Sequence, residues 1–196
     1  LVARRDSDYQ RTASIDDRRS LLYTPVVKMK VTSQGEDVIT ALWDVIAAKG
    51  FEKNTYFEMA ARDIRALPRL EGTIHVNIAL IVKFMENYFF NPGTFPEIGK
   101  IMHAGCDEFL FNQGPARGLG RIQFHDYKPV FDQLDTPNVN VFQEQIEVFK
   151  QFLATATPDD EQKKDIDFLM SLGEIFTLVV YGQLILEEAR LQGLEA

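Results

Sequence analysis

Apolar residues recur every three or four positions over most of the chain, and no segment alternates apolar with polar residues as a strand would. Pro25 suits the first turn of a helix, and Gly50 supplies a C-terminal stop. Between them runs a helical apolar stripe, which predicts a helix over residues 25–48. The stripe consists of Val27, Val31, Val38, Leu42, Trp43, Val45 and Ile46.

Two further helices are predicted in the first half. Asn54 or Thr55 can cap one that runs to about Ala66, before Pro68. Thr73 can open the next, which ends at residues 91–93, Asn-Pro-Gly. Its apolar positions follow helical spacing and are Ile74, Ile78, Ile81, Val82, Met85 and Phe89.

The second half begins irregularly and ends with stronger helical patterns. Short helices are predicted near residues 104–111 and 127–134, and a longer one over residues 139–154. The last helix is expected to start at Thr157-Pro158, followed by two acids, and to continue as far as Leu191. The fold class is therefore all-α.

Residues 1–20 lack apolar periodicity and contain five arginines and four aspartates. We expect a solvated loop there, with the arginines neutralised by the aspartates rather than binding phosphate.

Length and composition fit a globular chain of one domain, or of one domain with an appendage. The 196 residues are 45% hydrophobic and contain one cysteine, Cys106, for which a buried core position is expected. A single cysteine rules out an internal disulfide framework and fits a reducing compartment, so we expect a cytoplasmic protein. No apolar run approaches the roughly 20 residues of a membrane span, so none is expected.

The net charge of −8 is unevenly distributed. Residues 1–75 carry 12 basic and 11 acidic groups, whereas residues 141–196 carry 4 and 11. An acidic C-terminal quarter argues against nucleic acid as a partner, and a solvated acidic helix face is the simplest interpretation.

Common catalytic motifs are missing from the sequence. None of His75, His103 and His125 follows a glutamate by three residues, as the metal sites of helix bundles require, so no metal is expected. Phosphate-binding and nucleophile-elbow motifs do not occur, and the glycine-rich residues 114–120 are interpreted as a turn.

One segment does suggest chemistry. Residues 58–65 read Glu-Met-Ala-Ala-Arg-Asp-Ile-Arg, and residues 70–73 read Leu-Glu-Gly-Thr. This order and spacing, with Gly50-Phe51 before it, resembles the C-terminal helical domain of the acyl-CoA dehydrogenase family. The resemblance covers about residues 20–90. It implies that residues 1–90 are part of such a helical bundle and that residues 91–196 are a C-terminal helical extension.

The resemblance implies an FAD-dependent oxidation of the α,β bond of an acyl thioester on coenzyme A or a carrier protein. Glu71 would be the catalytic base that removes the α-proton. Gly72 would allow close approach of the backbone, and Thr73 at a helix N-terminus would suit the pyrophosphate of FAD. Assembly as a homo-oligomer or with a partner subunit is implied as well.

Other matched residues are expected to be structural. Arg62, Asp63 and Arg65 are expected to hold the bundle together by ion pairs, Trp43 to lie in the core, and His75 to have an interface or core role. Where the family has a glutamine and two glycines that contact FAD, this chain has Asp44, Ala47 and Ala48. These departures argue against FAD binding in the usual geometry. The resemblance also implies that this chain contains only the second half of the bundle plus the extension, so the 196 residues alone are expected to be inactive and to bind no FAD. The alternatives are a non-catalytic assembly or binding module and an acyl-CoA oxidase-type flavoenzyme.

Overall fold

The computed structural model describes residues 1–102, 111, 118–156 and 158–194, and every regular element in these ranges is helical. The predicted all-α class is thus confirmed. The α-helices are α1 (Val2–Arg11), α2 (Ser20–Ile46), α3 (Tyr56–Ala66), α4 (Ile74–Ile81), α5 (Met85–Phe90), α6 (Lys128–Asp132), α7 (Pro137–Thr155) and α8 (Ile166–Leu191). The helix predicted near residues 104–111, with Cys106, falls largely outside the described residues.

The predicted boundaries hold best where a capping side chain defines them. Thr55 caps α3, since its hydroxyl accepts a hydrogen bond of 3.2 Å from the backbone N–H of Glu58. The helix predicted from Thr73 to about residue 90 is instead two α-helices, α4 and α5, joined by a 3₁₀ turn at Val82–Phe84.

The predicted start of the last helix is wrong. Asp165 is the N-cap of α8, and its carboxylate accepts a 2.9 Å hydrogen bond from the backbone N–H of Asp167. The described residues 158–164 form turns and coil, and Thr157 lies outside the described ranges. A proline followed by acids fits a helix start, but it fits an acidic turn equally well.

Helix α8 is the centre of the core and packs against α1, α2, α4 and α6. Gly173 lies where α8 crosses α4, and a Cβ at this position would lie 2.3 Å from the side chain of Ile78. The glycine therefore allows the two helices to approach closely. The largest fully buried side chains include the aromatic residues Tyr23, Phe84, Tyr88, Phe124, Phe131 and Phe176.

Helix α8 is also the one helix in the described ranges that is long and apolar enough to cross a membrane. Its mean hydropathy is 1.7 over an 18-residue window, of which 44% is buried against the rest of the chain. A central core helix has the same composition, so the expected absence of a membrane span stays a prediction.

The N-terminal segment is largely helical, so the prediction of a solvated loop over residues 1–20 is wrong. Residues 2–11 form α1, and Arg5, which was predicted to be solvated, is only 3% exposed. Arg19, at the start of α2, is likewise buried. The segment lacks an apolar stripe because the face of α1 that packs inward is itself polar, with buried partners supplied by other elements.

The C-terminal half of α2 has an uncovered apolar face. Its stripe consists of Val31, Val38, Leu42 and Val45, and all four residues are exposed, Val45 by 79%. Trp43, predicted to be in the core, is only half-buried and stacks on Phe51 at the surface with ring centroids 5.2 Å apart. An apolar stripe usually faces a core, so this surface suits a packing partner.

Candidate functional site

Glu71 lies in the turn between α3 and α4, after a 3₁₀ turn at Leu67–Arg69. Its φ is 53° and that of Gly72 is 96°, so two successive residues adopt left-handed backbone conformations. Glycine does so freely, whereas a residue with a Cβ is strained there by about 1–2 kcal/mol. The turn therefore holds a glutamate where sterics favour glycine.

Two side chains bind the backbone carbonyls of this turn. Lys28 on α2 donates hydrogen bonds to the carbonyls of Pro68 and Gly72. Asn77, which is buried on α4, donates to the carbonyls of Gly72 and Thr73 at 3.1 and 3.0 Å. With its carbonyls bound from the inside, the turn presents the Glu71 side chain to solvent.

The three site residues predicted from the sequence, Glu71, Gly72 and Thr73, occupy this one turn. Thr73 is the N-cap residue of α4 by position, but its side chain makes no capping hydrogen bond. The apolar side chains of Leu70 and Val76 are exposed beside the turn, 55% and 60% respectively. Glu71 therefore lies at an apolar patch of surface rather than in an enclosed channel formed by the described residues.

The stretch before Gly50 does not fit the pyrophosphate of a flavin. The Asp44 carboxylate and the methyl groups of Ala47 and Ala48 are all exposed there. A carboxylate repels a pyrophosphate, and the methyl groups keep the backbone N–H groups at a distance. We therefore assign no flavin contact to these described residues.

The other matched residues have local roles. Arg62 forms exposed ion pairs with Glu58 and Asp63 within α3 itself, so the prediction that this set holds the bundle together is wrong for Arg62 and Asp63. Arg65 instead lies over the Trp43 ring, with its guanidinium carbon 4.6 Å from the ring centroid. His75 is exposed on α4, which excludes a core position within this chain.

A buried polar cluster, formed by Arg5, Tyr9, His125, Gln183 and Glu187, escaped the sequence analysis. One Glu187 oxygen accepts hydrogen bonds from Arg5 Nε at 2.6 Å and from the Tyr9 hydroxyl at 2.7 Å. The other oxygen lies 2.9 Å from His125 Nε2 and accepts from Gln183 Nε2 at 2.6 Å. The cluster thereby joins α1, α8 and the segment before α6.

The charges of this cluster are complementary. Burial raises the pKa of Glu187, but the hydrogen bond and charge of His125 and the charge of Arg5 outweigh it and lower the pKa to about 2. Arg5 also donates to the Ile98 carbonyl at 2.7 Å. Because these groups satisfy one another inside the protein, the cluster is suited to fixing helix positions rather than to binding a substrate.

A signal for the cluster does exist in the sequence. Gln183 and Glu187 are four residues apart on an otherwise apolar helix, and Arg5 and Tyr9 have the same spacing on α1. Polar residues at core positions of a helical pattern indicate a buried network once their partners are known. The partners come from segments more than 170 residues apart, which spacing within one helix cannot show.

Asp6 on α1 is a second buried carboxylate, and its pKa is shifted in the opposite direction to that of Glu187. It accepts hydrogen bonds from Thr24 Oγ1 at 2.9 Å and from Gln10 Nε2 at 2.8 Å. Burial outweighs these bonds and raises the pKa of Asp6 from 3.8 to about 6. The folded chain therefore binds this proton more tightly, and stability is lost as the pH rises from about 4 to about 6.

Replacing Asp6 with Asn removes the charge while keeping the size of the side chain. We expect the free energy of unfolding to rise by about 2–3 kcal/mol at pH 7 and to change little at pH 4, where Asp6 is already protonated. Urea unfolding of both proteins at the two pH values measures this. An equal change at pH 4 and pH 7 would show that ionisation of Asp6 is not the cause.

Comparison with known protein families, curated proteins and solved structures finds no significant match to this chain.

Proposed function

We propose that this chain is the C-terminal helical region of a flavin-dependent enzyme similar to the acyl-CoA dehydrogenases, with Glu71 as its catalytic base. The observation that carries the proposal is the strained φ of 53° at Glu71, in a turn whose carbonyls are bound by Lys28 and Asn77. Strained backbone that the surrounding structure holds in place is concentrated at functional sites.

The chemistry proposed for this chain is proton removal. The thioester carbonyl acidifies its α C–H bond, and the Glu71 carboxylate accepts that proton as enolate-like charge develops on the carbonyl oxygen. The backbone N–H of Glu71 would donate to this oxygen. For the α,β double bond to form, the β-carbon would lose a hydride as the α-proton leaves, and a flavin would supply the hydride acceptor. The flavin would be held by parts of the enzyme beyond the described residues, because Asp44, Ala47 and Ala48 do not fit a pyrophosphate.

The surroundings of Glu71 suit a site completed by another protein surface. Leu70 and Val76 are exposed beside the carboxylate, and the exposed stripe of α2 (Val31, Val38, Leu42 and Val45) offers a packing face on a neighbouring helix. Covering these residues would exclude water from the thioester and strengthen the interactions within the site. The covering surface would come from other domains of the enzyme or from a second subunit.

The backbone at Ala47 supports the resemblance independently. Ala47 has φ 54° and ψ −140°, a conformation that glycine adopts far more readily. The family has a glycine in this stretch. The chain therefore keeps a glycine-type turn after α2 although the residue is alanine.

Replacing Ala47 with Gly is expected to raise the free energy of unfolding by about 1 kcal/mol, because the strain at positive φ is relieved. Ala48→Gly is the matched control, because Ala48 is equally exposed but has no positive φ. That variant should lose about 0.5–1 kcal/mol through the extra freedom of the unfolded chain. The midpoints of urea unfolding measure both changes in stability. A shift of the same sign in the two variants would contradict the strained positive φ at Ala47.

The proposed function is tested by mixing the full-length protein with a series of saturated acyl thioesters on coenzyme A and on acyl carrier protein. Turnover is followed with an artificial electron acceptor, with the corresponding free acids as controls. We expect oxidation of thioesters and none of the acids, because the thioester is needed to acidify the α C–H bond. Hydrogen peroxide formed without the acceptor would identify an oxidase.

The alternative is a non-catalytic assembly or binding module. The exposed stripe of α2 and the alanines at positions 47 and 48 favour it, because they suit packing better than cofactor binding. No thioester oxidation, together with stable co-purification of a second chain, would support this alternative and exclude the enzyme.

A further inference from the structure

Helices α7 and α8 enclose an open apolar groove of about 620 Å³. Its floor is formed by buried residues such as Ile146 and Phe149, and its walls by exposed ones. The exposed wall residues include Val148, Phe152, Ile175 and Leu178. Their spacing along each helix is three or four residues, so each wall is a continuous helical seam.

The groove has the dimensions of a helix-binding site. The groove residues of α7 run from Phe142 to Phe152, which corresponds to nearly three helical turns or about 15 Å. An amphipathic helix that places apolar side chains at i, i+3 or i+4, and i+7 would cover both seams at once. A segment of about 12 residues is long enough.

Acidic residues border the groove on both outer sides. Glu144 on α7 is four residues before Val148. On α8, Asp167 is four residues before the groove residue Ser171, and Glu174 is four residues before Leu178. All three carboxylates are exposed. The turn between α7 and α8, at one end of the groove, adds Asp159, Asp160, Glu161 and Asp165.

The nearby cations are too few to cancel this charge, since the turn between α7 and α8 holds two lysines, Lys163 and Lys164, against four acids. Lys150 pairs with Glu147 at 3.8 Å, and Lys163 in the acidic turn pairs with Asp160 at 3.6 Å. Lys30 lines a second hollow together with Glu174, so it lies near one of the three border carboxylates. Residues 141–196 as a whole carry 4 basic and 11 acidic groups.

We propose that the α7–α8 groove binds an amphipathic helix of a partner protein, with an apolar face for the seams and lysines or arginines for the acidic border. Charge complementarity selects this occupant. A second copy of the chain would bring a like-charged border against this one, and an anionic membrane would be repelled by it. The proposal uses none of the residues around Glu71 and is independent of the proposed function.

The probes are a panel of 18-residue helical peptides with leucines at i, i+3 or i+4, and i+7 in different registers, flanked by lysines. A matched panel has glutamates in place of the lysines. Binding to the full chain is measured by fluorescence anisotropy at low and high salt. We expect at least one lysine peptide to bind about tenfold or more tightly than its glutamate counterpart, with the difference reduced by salt.

Two surface variants locate the binding. Val148→Ser with Ile175→Ser removes exposed apolar contacts, and Glu144→Lys with Glu174→Lys reverses the border charge; neither pair touches the buried core. We expect the first pair to weaken binding about tenfold or more and the second to transfer preference to the glutamate peptides. Binding that neither pair changes overturns the proposal, as does failure of every lysine peptide to bind.

Two further outcomes also count against it. Analytical ultracentrifugation that shows a dimer abolished by Val148→Ser with Ile175→Ser would assign the groove to a second copy. Binding of the chain to vesicles of anionic phospholipid, lost in the same pair, would assign it to a membrane surface.

Discussion

Replacing Glu71 with Gln in the full-length protein is expected to slow thioester oxidation by about 10³-fold, because the amide cannot accept the α-proton. The fold should be unchanged, since the side chain is exposed and the turn is held through its backbone carbonyls by Lys28 and Asn77. The rate of reduction of an electron acceptor by the thioester measures the loss. Thermal unfolding of the same sample shows whether the variant remains folded.

Two controls make this result specific to the base. Glu71→Asp keeps a carboxylate but moves it back by one methylene, so it should retain more activity than Glu71→Gln and less than the parent. Glu86→Gln removes an exposed carboxylate from α5, where no chemistry is proposed, and should have no effect. Full activity in Glu71→Gln would exclude Glu71 as the base.

The second large expected effect is a loss of stability when Glu187 is replaced. Replacing Glu187 with Gln is expected to lower the free energy of unfolding by about 3–5 kcal/mol, because the buried Arg5 then loses its close ion-pair partner and the nearest remaining carboxylate, Asp8, is 4.0 Å away. Arg5 Nε lies 2.6 Å from the Glu187 carboxylate, and both side chains are less than 5% exposed. Urea unfolding at pH 7 measures the change. Glu174→Gln removes an exposed carboxylate from the same helix and should stay within about 0.5 kcal/mol of the parent.

The contribution of Glu187 to stability is expected to be lost at low pH. The pKa of Glu187 is lowered to about 2 in the folded chain from an ordinary value of 4.5. Its contribution to stability is therefore complete above about pH 4.5 and is lost as the pH falls through about 2. The shift corresponds to about 3 kcal/mol, and Glu187→Gln should lack this acid-dependent loss. A variant as stable as the parent at pH 7 would show that the ion pair contributes little.

Helix α3 illustrates how far local sequence reasoning reaches. Thr55 and Pro68 lie at the two ends of one short segment, and they define both ends of the helix correctly. Helix α1 could not be predicted in this way. Its inward face carries Arg5, Asp6 and Tyr9, and a polar face is recognisable as buried only when the partner on α8 is known.

The stripe of α2 shows a different limit. Periodicity identified an apolar face correctly, but it cannot tell which surface covers that face, and Val38 and Val45 are exposed in this chain. For the candidate site, spacing placed Glu71 at the junction of a loop and a helix, which the structure confirms. The strained φ of Glu71 and its anchor Lys28, more than 40 residues earlier, depend on tertiary contacts and were not predictable.

Exchange of the α-protons of a saturated acyl thioester with solvent deuterium is the most direct test of the proposed role of Glu71, because it requires removal of the α-proton and return of a deuteron but no hydride transfer. The full-length protein is incubated with the thioester in D₂O, and deuterium at the α-carbon is followed by mass spectrometry. We expect exchange with the parent protein and only the uncatalysed background with Glu71→Gln. Equal exchange by the two proteins would contradict that role.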